Sequence, residues 1–351
     1  MQTHQQFIKV LKGYGFSVSV KDNKIILKNA IPFQENIPEE HYANNLPYEK
    51  IVLCGKGYVS TEAMSLLCEK NCSLVLMNTF GEPIAFVNPV RESFQGSRYR
   101  MAQYDTFRIP EKREYLSKQI VKSKIQSQMD FLKYTKNESV KGGIVTLSKY
   151  LHEVDCSSKP NGIEAKSSAV YFAEYSKLIP SRYNFQGRNQ SFLRSSKEQA
   201  TDLVNGLLNY GYTVLASEIS KLINTVGLDA YYGFYHANKS SFQSLVYDMI
   251  EPFRWLVDWA VYSLCHEKNT VYPKLTEIAH TRDGLVVMDY SLIGRFLEKL
   301  YRIFRRTRKY DYRFGLKTSD GLKSVQEITV AKIMVTNLAE YCLGKQREFR
   351  I

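Results

Sequence analysis

The period of the hydrophobic pattern changes near Pro89, and this limits the possible architectures more than any other feature of the chain. Before it the signals are those of strands. Phe16 to Val20 and Lys24 to Lys28 alternate in polarity on either side of Asp22-Asn23, which predicts a hairpin. Ile51-Val52-Leu53-Cys54, ending at Gly55 and Gly57, and Ser73 to Met77 are short apolar runs suited to buried strands. Phe80-Gly81-Glu82-Pro83 turns into a further strand, Ile84 to Val87. Ser60 is placed to cap the one helix of this region, with Ala63, Leu66 and Leu67 inward. After Pro89 the spacing is helical. Pro110 opens a helix to about Tyr134. Asn161 or Gly162 opens another that stops before Pro180. Ser196 with Gln199 boxes a helix from Lys197 to Thr225, and Ser240 with Gln243 repeats that signature. Pro252 should kink the helix that follows rather than end it, since the apolar pattern resumes at Leu256 and Ala260. Ser291 starts a helix with Leu292, Phe296, Leu300 and Ile303 inward. Ser324 with Glu327 caps a last helix, stopped by Gly344. The fold class predicted is α+β: a β-rich domain over residues 1–105, with an extra hairpin in about 1–31, then an all-helical domain over 106–351.

At 351 residues the chain is long for a single core, which agrees with two domains. Its formal charge of +13 points to an anionic partner, whether nucleic acid, an acidic membrane surface or phosphates. Charge alone does not choose among them, and a merely basic soluble protein has the same composition. Arg91, Arg98, Arg100, Arg108, Lys112 and Arg113 alternate with Phe94, Tyr99, Tyr104 and Phe107. This interdomain segment suits a phosphate backbone, although an exposed basic linker reads the same way. Arg302, Arg305, Arg306, Arg308 and Lys309 cluster at the far end of the helix from Ser291, for backbone contact or as a solvated face. None of the six cysteines forms a C-x-x-C pair, and they read as buried thiols in a reducing compartment. The start lacks the pattern of a secretory signal, and no apolar run approaches a membrane span. The expectation is a cytoplasmic protein with no membrane partner.

The chemistry concentrates between Tyr235 and Asp258. His236 ends a Gly- and aromatic-rich loop. Asp248 and Glu251 follow three residues apart, so one helical face can aim both carboxylates at one spot. A His and two carboxylates suit a divalent metal. The plainer reading is a structural histidine and a solvent-facing acidic pair. Glu164, in the first turn of its helix, complements the helix dipole or serves a site with Ser168, Tyr171 and Tyr175. Asn205, Asn209 and Tyr212 share a face of the next helix. Spacing alone does not bring Glu164, His236 and Glu251 together. If they converge, Mg2+ or Mn2+ held by oxygens and one imidazole would polarise a phosphoryl oxygen and activate a hydroxyl, and the basic surface would make the substrate a phosphodiester. Other schemes fare worse. Cys265 and His266 are neighbours and face different ways on a helix, and there is no G-x-S-x-G elbow, P-loop or G-x-G-x-x-G.

Four blocks, in order, carry a resemblance. They are Gly162-Ile163-Glu164-Ala165 with Tyr171-Phe172, Asn205 through Tyr212, Gly233-Phe234-Tyr235-His236, and Ser244 through Arg254 with Val257-Asp258. Together with Gly55 to Thr61 and Gly81, the sequence resembles the CRISPR-associated integrase family over nearly its whole length after about Asn45. The resemblance implies an N-terminal β-domain that forms a homodimer and a helical catalytic domain. It implies that Glu164, His236 and Glu251 are catalytic metal ligands for Mg2+ or Mn2+, with no ATP. Asp248 matches a nearby acidic position, Asn209 and Tyr212 lie in a block beside the site, and Arg254 supports carboxylates or meets phosphate. The implied reaction is transesterification: the 3′-hydroxyl of a short DNA duplex attacks the edge of a CRISPR repeat, with a small dimeric Cas protein bridging two integrase dimers. Arg98, Arg100, Arg302, Arg305, Arg306 and Arg308 are candidates for DNA contact. The residues before about Pro32 look like an addition to the family's start, as in the related casposon transposases. Those transposases usually carry a DNA-binding module after the helical domain, and an end soon after Gly344 favours the CRISPR role. The alternatives are casposon-type transposition, a plain metal nuclease and a non-catalytic DNA-binding assembly module.

Overall fold

The computed structural model describes residues 8–32, 35–77, 83–89, 96–157, 160–188, 200–236, 242–267, 279–282, 285–311 and 322–349. The turn at Phe80-Gly81-Glu82, the Ser196/Gln199 box and Ser240 lie outside them. The chain separates into two units. One comprises Met1–Val90, Gln199–Tyr210 and Asn269–Lys299, and the other Arg91–Glu198, Gly211–Lys268 and Leu300–Ile351. Beside the linear division expected at 105/106, the first unit thus takes in two segments from the C-terminal half.

The first unit is built on a sheet of β1 (Ile8–Lys21), β2 (Lys24–Lys28), β3 (Glu39–Tyr42), β4 (Lys50–Val59), β5 (Ser73–Met77) and β6 (Pro83–Val87), in the order β3-β2-β1-β4-β5-β6. β1 and β2 pair antiparallel from Lys21 opposite Lys24. The turn residues Asp22 and Asn23 both have positive φ, 52° and 58°, as a two-residue hairpin turn with right-handed twist requires. The predicted hairpin is therefore present, but it is not an appendage: β1 also pairs in parallel with β4 and lies inside the sheet. β4 does not stop at Gly55 either. It runs through both glycines, because a Cβ at Gly55 would lie 2.3 Å from Gly13 O on the adjoining strand. Close backbone approach, not strand termination, is what these glycines serve. Helix α1 (Thr61–Glu69) connects the parallel strands β4 and β5, and Ser60 Oγ accepts from Ala63 N at 3.1 Å to cap it. Leu11, Val18, Ile25, Ile51, Leu53, Leu67 and Leu74 form the buried core. From the C-terminal half come the start of α6 (Leu203–Val226), capped by Asp202, the hairpin of β7 (Ala279–Arg282) and β8 (Leu285–Met288), and most of α9 (Tyr290–Phe304). α9 is started by Asp289, whose Oδ1 accepts from Ser291 N at 2.7 Å, and not by Ser291.

The second unit is helical, with α2 (Gly96–Arg108), α3 (Pro110–Tyr134), α4 (Lys141–Cys156), α5 (Pro160–Leu178), the rest of α6, α7 (Ser244–Ile250), α8 (Arg254–Cys265) and α10 (Glu327–Cys342). α3 has the predicted bounds, with Pro110 in its first turn. Pro252 acts at the expected place but does more than kink the helix: a single 3-10 turn, Glu251–Phe253, separates α7 from α8. Three expectations fail. Residues 96–108 of the expected interdomain segment are no linker: they form α2, anchored through Tyr99 to Glu340 (2.8 Å) and through Tyr104 to Asp229 (2.6 Å). Glu164 lies beyond the first turn of α5, which opens at Pro160. The half is also not purely helical, because β9 (Thr307–Asp311) and β10 (Leu322–Gln326) form a hairpin. Ser324 is thereby a strand residue opposite Lys309, and Gln326 stands at the N-cap of α10 without a side-chain cap. Gly344, at φ 74°, does end α10, with its N–H on Tyr341 O and the Lys345 N–H on Glu340 O.

Glu39 gives the first unit a titratable anchor. Burial alone would raise its carboxyl, but Lys9, Tyr48 and His41 all bond to it and bring it down to about 2. A carboxyl whose folded value is depressed adds stability that is complete above its unfolded value and lost as pH falls towards the folded one. The gap in melting temperature between wild type and Glu39→Gln should thus be widest near neutrality and close as pH falls from roughly 5 to about 2; a gap independent of pH would contradict the assignment.

Candidate active site

Lys124 organises the candidate site in the second unit. It sits on α3 between Ile120 and Gln128, one turn to either side, within the buried stripe of that helix. Its side chain is 8 % exposed, and its ammonium bonds to Glu164 Oε1 and lies 2.6 Å from Glu251 Oε2. α5 and the break after α7 thus bring Glu164 and Glu251 onto one cation. Glu251, 3 % exposed, also receives Arg254 through Nε and Nη2 on Oε1, both at 3.0 Å. Burial would raise its carboxyl, but Arg254 and Lys124 outweigh burial and hold it at about 2. Ser168 donates to Glu164 Oε1 at 2.9 Å, and the Tyr235 hydroxyl also bonds to Glu164. Burial and these carboxylates push the Tyr235 phenol well above its ordinary range, so it stays a donor.

Asp248 does not share a spot with Glu251, although the two are three residues apart. It is fully buried, and it turns to the loop before His236. Its Oδ2 accepts from Phe234 N (2.5 Å) and Tyr235 N (3.0 Å), and its Oδ1 from His236 N (2.9 Å) and His236 Nδ1 (2.8 Å). A carboxylate facing Nδ1 fixes the N–H there and turns the lone pair of Nε2 outward. His236 is a field neighbour of Glu251 and helps lower its carboxyl. The loop lies close on α7: Gly233 N donates to Ser244 Oγ at 2.8 Å, and a Cβ at Gly233 would come within 2.7 Å of Asp248 Oδ2 and of Ser244 C. From the other side Gln103 of α2 donates to Asp229 O (2.9 Å) and Tyr232 O (2.7 Å) and accepts from Asp229 N (2.8 Å).

A second buried carboxylate supports the first. Asp258 accepts from Tyr171 at 2.7 Å and Tyr212 at 2.5 Å, while Tyr175 donates to its carbonyl at 2.8 Å. Burial raises its carboxyl to about 6, against the pull of the two tyrosines and of Arg254. The Arg254 guanidinium lies 4.5 Å from the centre of the Tyr212 ring. Asp258, Tyr212, Arg254, Glu251, Lys124 and Glu164 therefore form one continuous polar chain.

The remaining expected residues scatter. Tyr171 and Tyr175 serve Asp258, not Glu164. Asn205 bonds to Asp202 at the start of α6, and both it and the half-buried Asn209 are counted with the first unit. Arg98 and Arg100 are exposed on α2. The Arg302 to Lys309 run is not one helix face: α9 ends at Phe304, so Arg302 lies on the helix, Arg305 and Arg306 follow its end, and Arg308 and Lys309 belong to β9. Arg306 stacks on Trp259 at 4.4 Å, and Arg308 pairs with Glu327 at 2.8 Å. Cys156 is exposed and Cys68 partly so, whereas the other four thiols are buried as expected. No described helix is long and apolar enough to cross a membrane.

Among the described residues no three His, Cys, Asp or Glu side chains are arranged about one point as metal ligands. The donor set nevertheless suits a hard divalent cation. Two carboxylates already converge on a positive charge, Glu251 Oε2 is buried and among the described residues faces nothing but that ammonium, and the imidazole offers Nε2. Sequence reasoning overlooked Lys124 and the hub role of Asp258. A lysine inside an apolar stripe, at i±4 from Ile120 and Gln128, was the available signal.

These features define an α+β protein with a buried, cation-centred carboxylate pair beside an oriented histidine. The family described as CRISPR associated protein Cas1 matches residues 10–302, and the chain belongs to that family. It is 27 % identical over 293 residues to CRISPR-associated endonuclease Cas1 1 of Archaeoglobus fulgidus, covering 75 % of this chain and 82 % of the relative. Its fold is similar to that of a casposase bound to integration product, with TM-score 0.83, 24 % identity, and 98 % and 92 % of the two chains covered. It is also similar to a chain of a Cas6-RT-Cas1–Cas2 complex, with TM-score 0.70, 17 % identity, and 99 % and 36 % covered.

The clamp on the histidine loop is open to direct test. Asp248→Asn places an amide N–H2 against a cluster of N–H donors, and should cost about 2–4 kcal/mol. Urea unfolding of the two proteins measures this, and a change under about 0.5 kcal/mol would mean that the loop does not depend on Asp248.

Proposed function

We propose that the chain is a Mg2+- or Mn2+-dependent DNA integrase of CRISPR adaptation, with Glu164, His236 and Glu251 as the metal-holding catalytic residues. The observation that carries this reading is the convergence of Glu164 and Glu251 on one cation position in a chain of the Cas1 family. A bound metal would polarise the target phosphoryl oxygen and ease deprotonation of the attacking hydroxyl. Glu251, held at about 2, stays an oxygen donor through the neutral range and does not act as a proton source. Arg254 occupies Oε1 and leaves Oε2 for the cation. Asp248 orients the His236 ring so that Nε2 faces away from it. Strand transfer is balanced without ATP: the donor 3′-oxygen bonds to phosphorus, the target P–O3′ bond breaks, and the proton passes to the released 3′-oxygen or to solvent.

The substrate proposed is a short duplex joined to the repeat edge of a CRISPR array, consistent with the net charge of +13. The partners proposed are double-stranded DNA, a second copy of the chain and a small dimeric Cas protein. The fold likeness to a Cas1–Cas2 assembly supports the last of these. The proposed setting is the cytoplasm. Casposon-type transposition is the second reading, favoured by the likeness to a casposase at TM-score 0.83. It differs in its donor, which would carry transposon terminal repeats.

A joining assay with labelled duplex, supercoiled plasmid and Mn2+ tests the proposal. Label should enter the plasmid only with metal, and Glu251→Ala or His236→Ala should reduce it by at least about 100-fold. Nicked but never joined plasmid would make the chain a plain nuclease. Tight, chelator-insensitive DNA binding without transfer, even with the Cas partner added, would make it a binding module. Preference for terminal repeats over CRISPR repeats would move it to the transposase branch.

A further inference from the structure

We infer that Lys124 is an internal counter-ion that holds the cation position until a divalent ion displaces it, with Gln128 as the acceptor of the displaced ammonium. This rests on the reading of Glu164 and Glu251 as metal-holding residues. Three observations carry it. First, the ammonium bridges the two carboxylates, one of them 3 % exposed, and the lysine is itself buried. A cation entering between those carboxylates meets a charge of its own sign, so the two cannot share the position. Second, the ammonium, 2.6 Å away, is the group that Glu251 Oε2 faces, and among the described residues no further hydrogen-bond donor reaches that buried oxygen, so an ion taking the ammonium's place would meet it unshared. By contrast, Arg254 holds Oε1 through two nitrogens. Third, Gln128 Oε1 is buried without a hydrogen-bond partner, one turn along the same helix. Side chains four residues apart on a helix are neighbours, and an ammonium on a flexible four-carbon stem can turn from one acceptor to the other. The orphaned carbonyl oxygen gains a donor when the lysine leaves the carboxylates.

The arrangement separates a competing lysine from a supporting one by sign. A lysine that merely supported the ligands would cost about 10- to 100-fold in metal affinity when removed. A competing lysine does the opposite. Without it the buried carboxylates are left uncompensated, so the metal-free protein is destabilised and Mn2+ relieves the repulsion. Lys124→Met should lower the melting temperature of the metal-free full-length chain and bind Mn2+ about tenfold tighter than wild type. Gln128→Leu, which removes the displaced ammonium's acceptor, should weaken Mn2+ binding in the wild-type background and have no effect in Lys124→Met. Lys124→Gln serves if the methionine variant does not fold.

The measurement is Mn2+ binding by electron paramagnetic resonance, alongside melting curves with and without Mn2+ and with Glu251→Gln as the site control. Tighter binding in the Lys124 variants, with a larger Mn2+-induced rise in melting temperature, supports displacement. Unchanged or weaker binding in those variants overturns it while the metal site stands. Wild-type protein that binds no more Mn2+ than Glu251→Gln overturns the metal reading itself, and the inference with it.

Discussion

Charge neutrality around Glu251 is the constraint on which the rest of the site depends. A carboxylate that is 3 % exposed cannot stay ionised in a helical interior unless cations come to it. Here two come, from different elements: Arg254 three residues on, across the Pro252 break, and Lys124 from α3. The second cation brings Glu164 with it, and Glu164 brings Ser168 and Tyr235. The helices need this balance as much as the chemistry does, because removing one member leaves a buried charge uncompensated. It also explains why Arg254 is itself tied down, over the ring of a tyrosine whose hydroxyl is spent on Asp258.

Two devices let the backbone deliver these groups. Pro252 cannot donate into the helix, so the chain takes a single 3-10 turn at Glu251 and restarts at Arg254. The histidine loop has no regular structure of its own and borrows it from its neighbours. Asp248 takes three of its backbone N–H groups, Ser244 a fourth, and Gln103 satisfies both N–H and carbonyl groups at its start. A buried loop must find partners for its backbone, and here they are side chains of α2 and α7. The helix α2 is thus structural support for the site as well as a carrier of exposed arginines.

What could be read from sequence was whatever depends on backbone geometry alone. Asp22-Asn23, Pro110, Pro252 and Gly344 each impose a local conformation, and each does so where expected. Side-chain partnership was not legible. The spacing of Asp248 and Glu251 correctly puts both on one short stretch, yet one turns to N–H donors and the other to cations, a choice made by distant residues. The basic run after Phe304 read as helix because its charges mask a strand pattern, and pairing with Leu322–Gln326 decided otherwise. Lys124 went unseen because a lysine at that period is usually an exposed one, and its burial follows only from two carboxylates that lie 40 and 127 residues further along the chain. The resemblance to a family named the acidic residues and the histidine, but not the lysine that joins two of them.

Gly233 has a consequence for how such a sequence can change. No methyl group fits between it and Asp248, Ser244 and Leu245. Two stretches separated by the residues between His236 and Ser244 are therefore pressed together with no slack. A substitution at 233 would be felt as a shift of His236, three positions away, although residue 233 itself offers no side chain to any substrate. Replacing Asp248 at the same time would not make room, because the Ser244 and Leu245 backbone closes in as tightly as the carboxylate does.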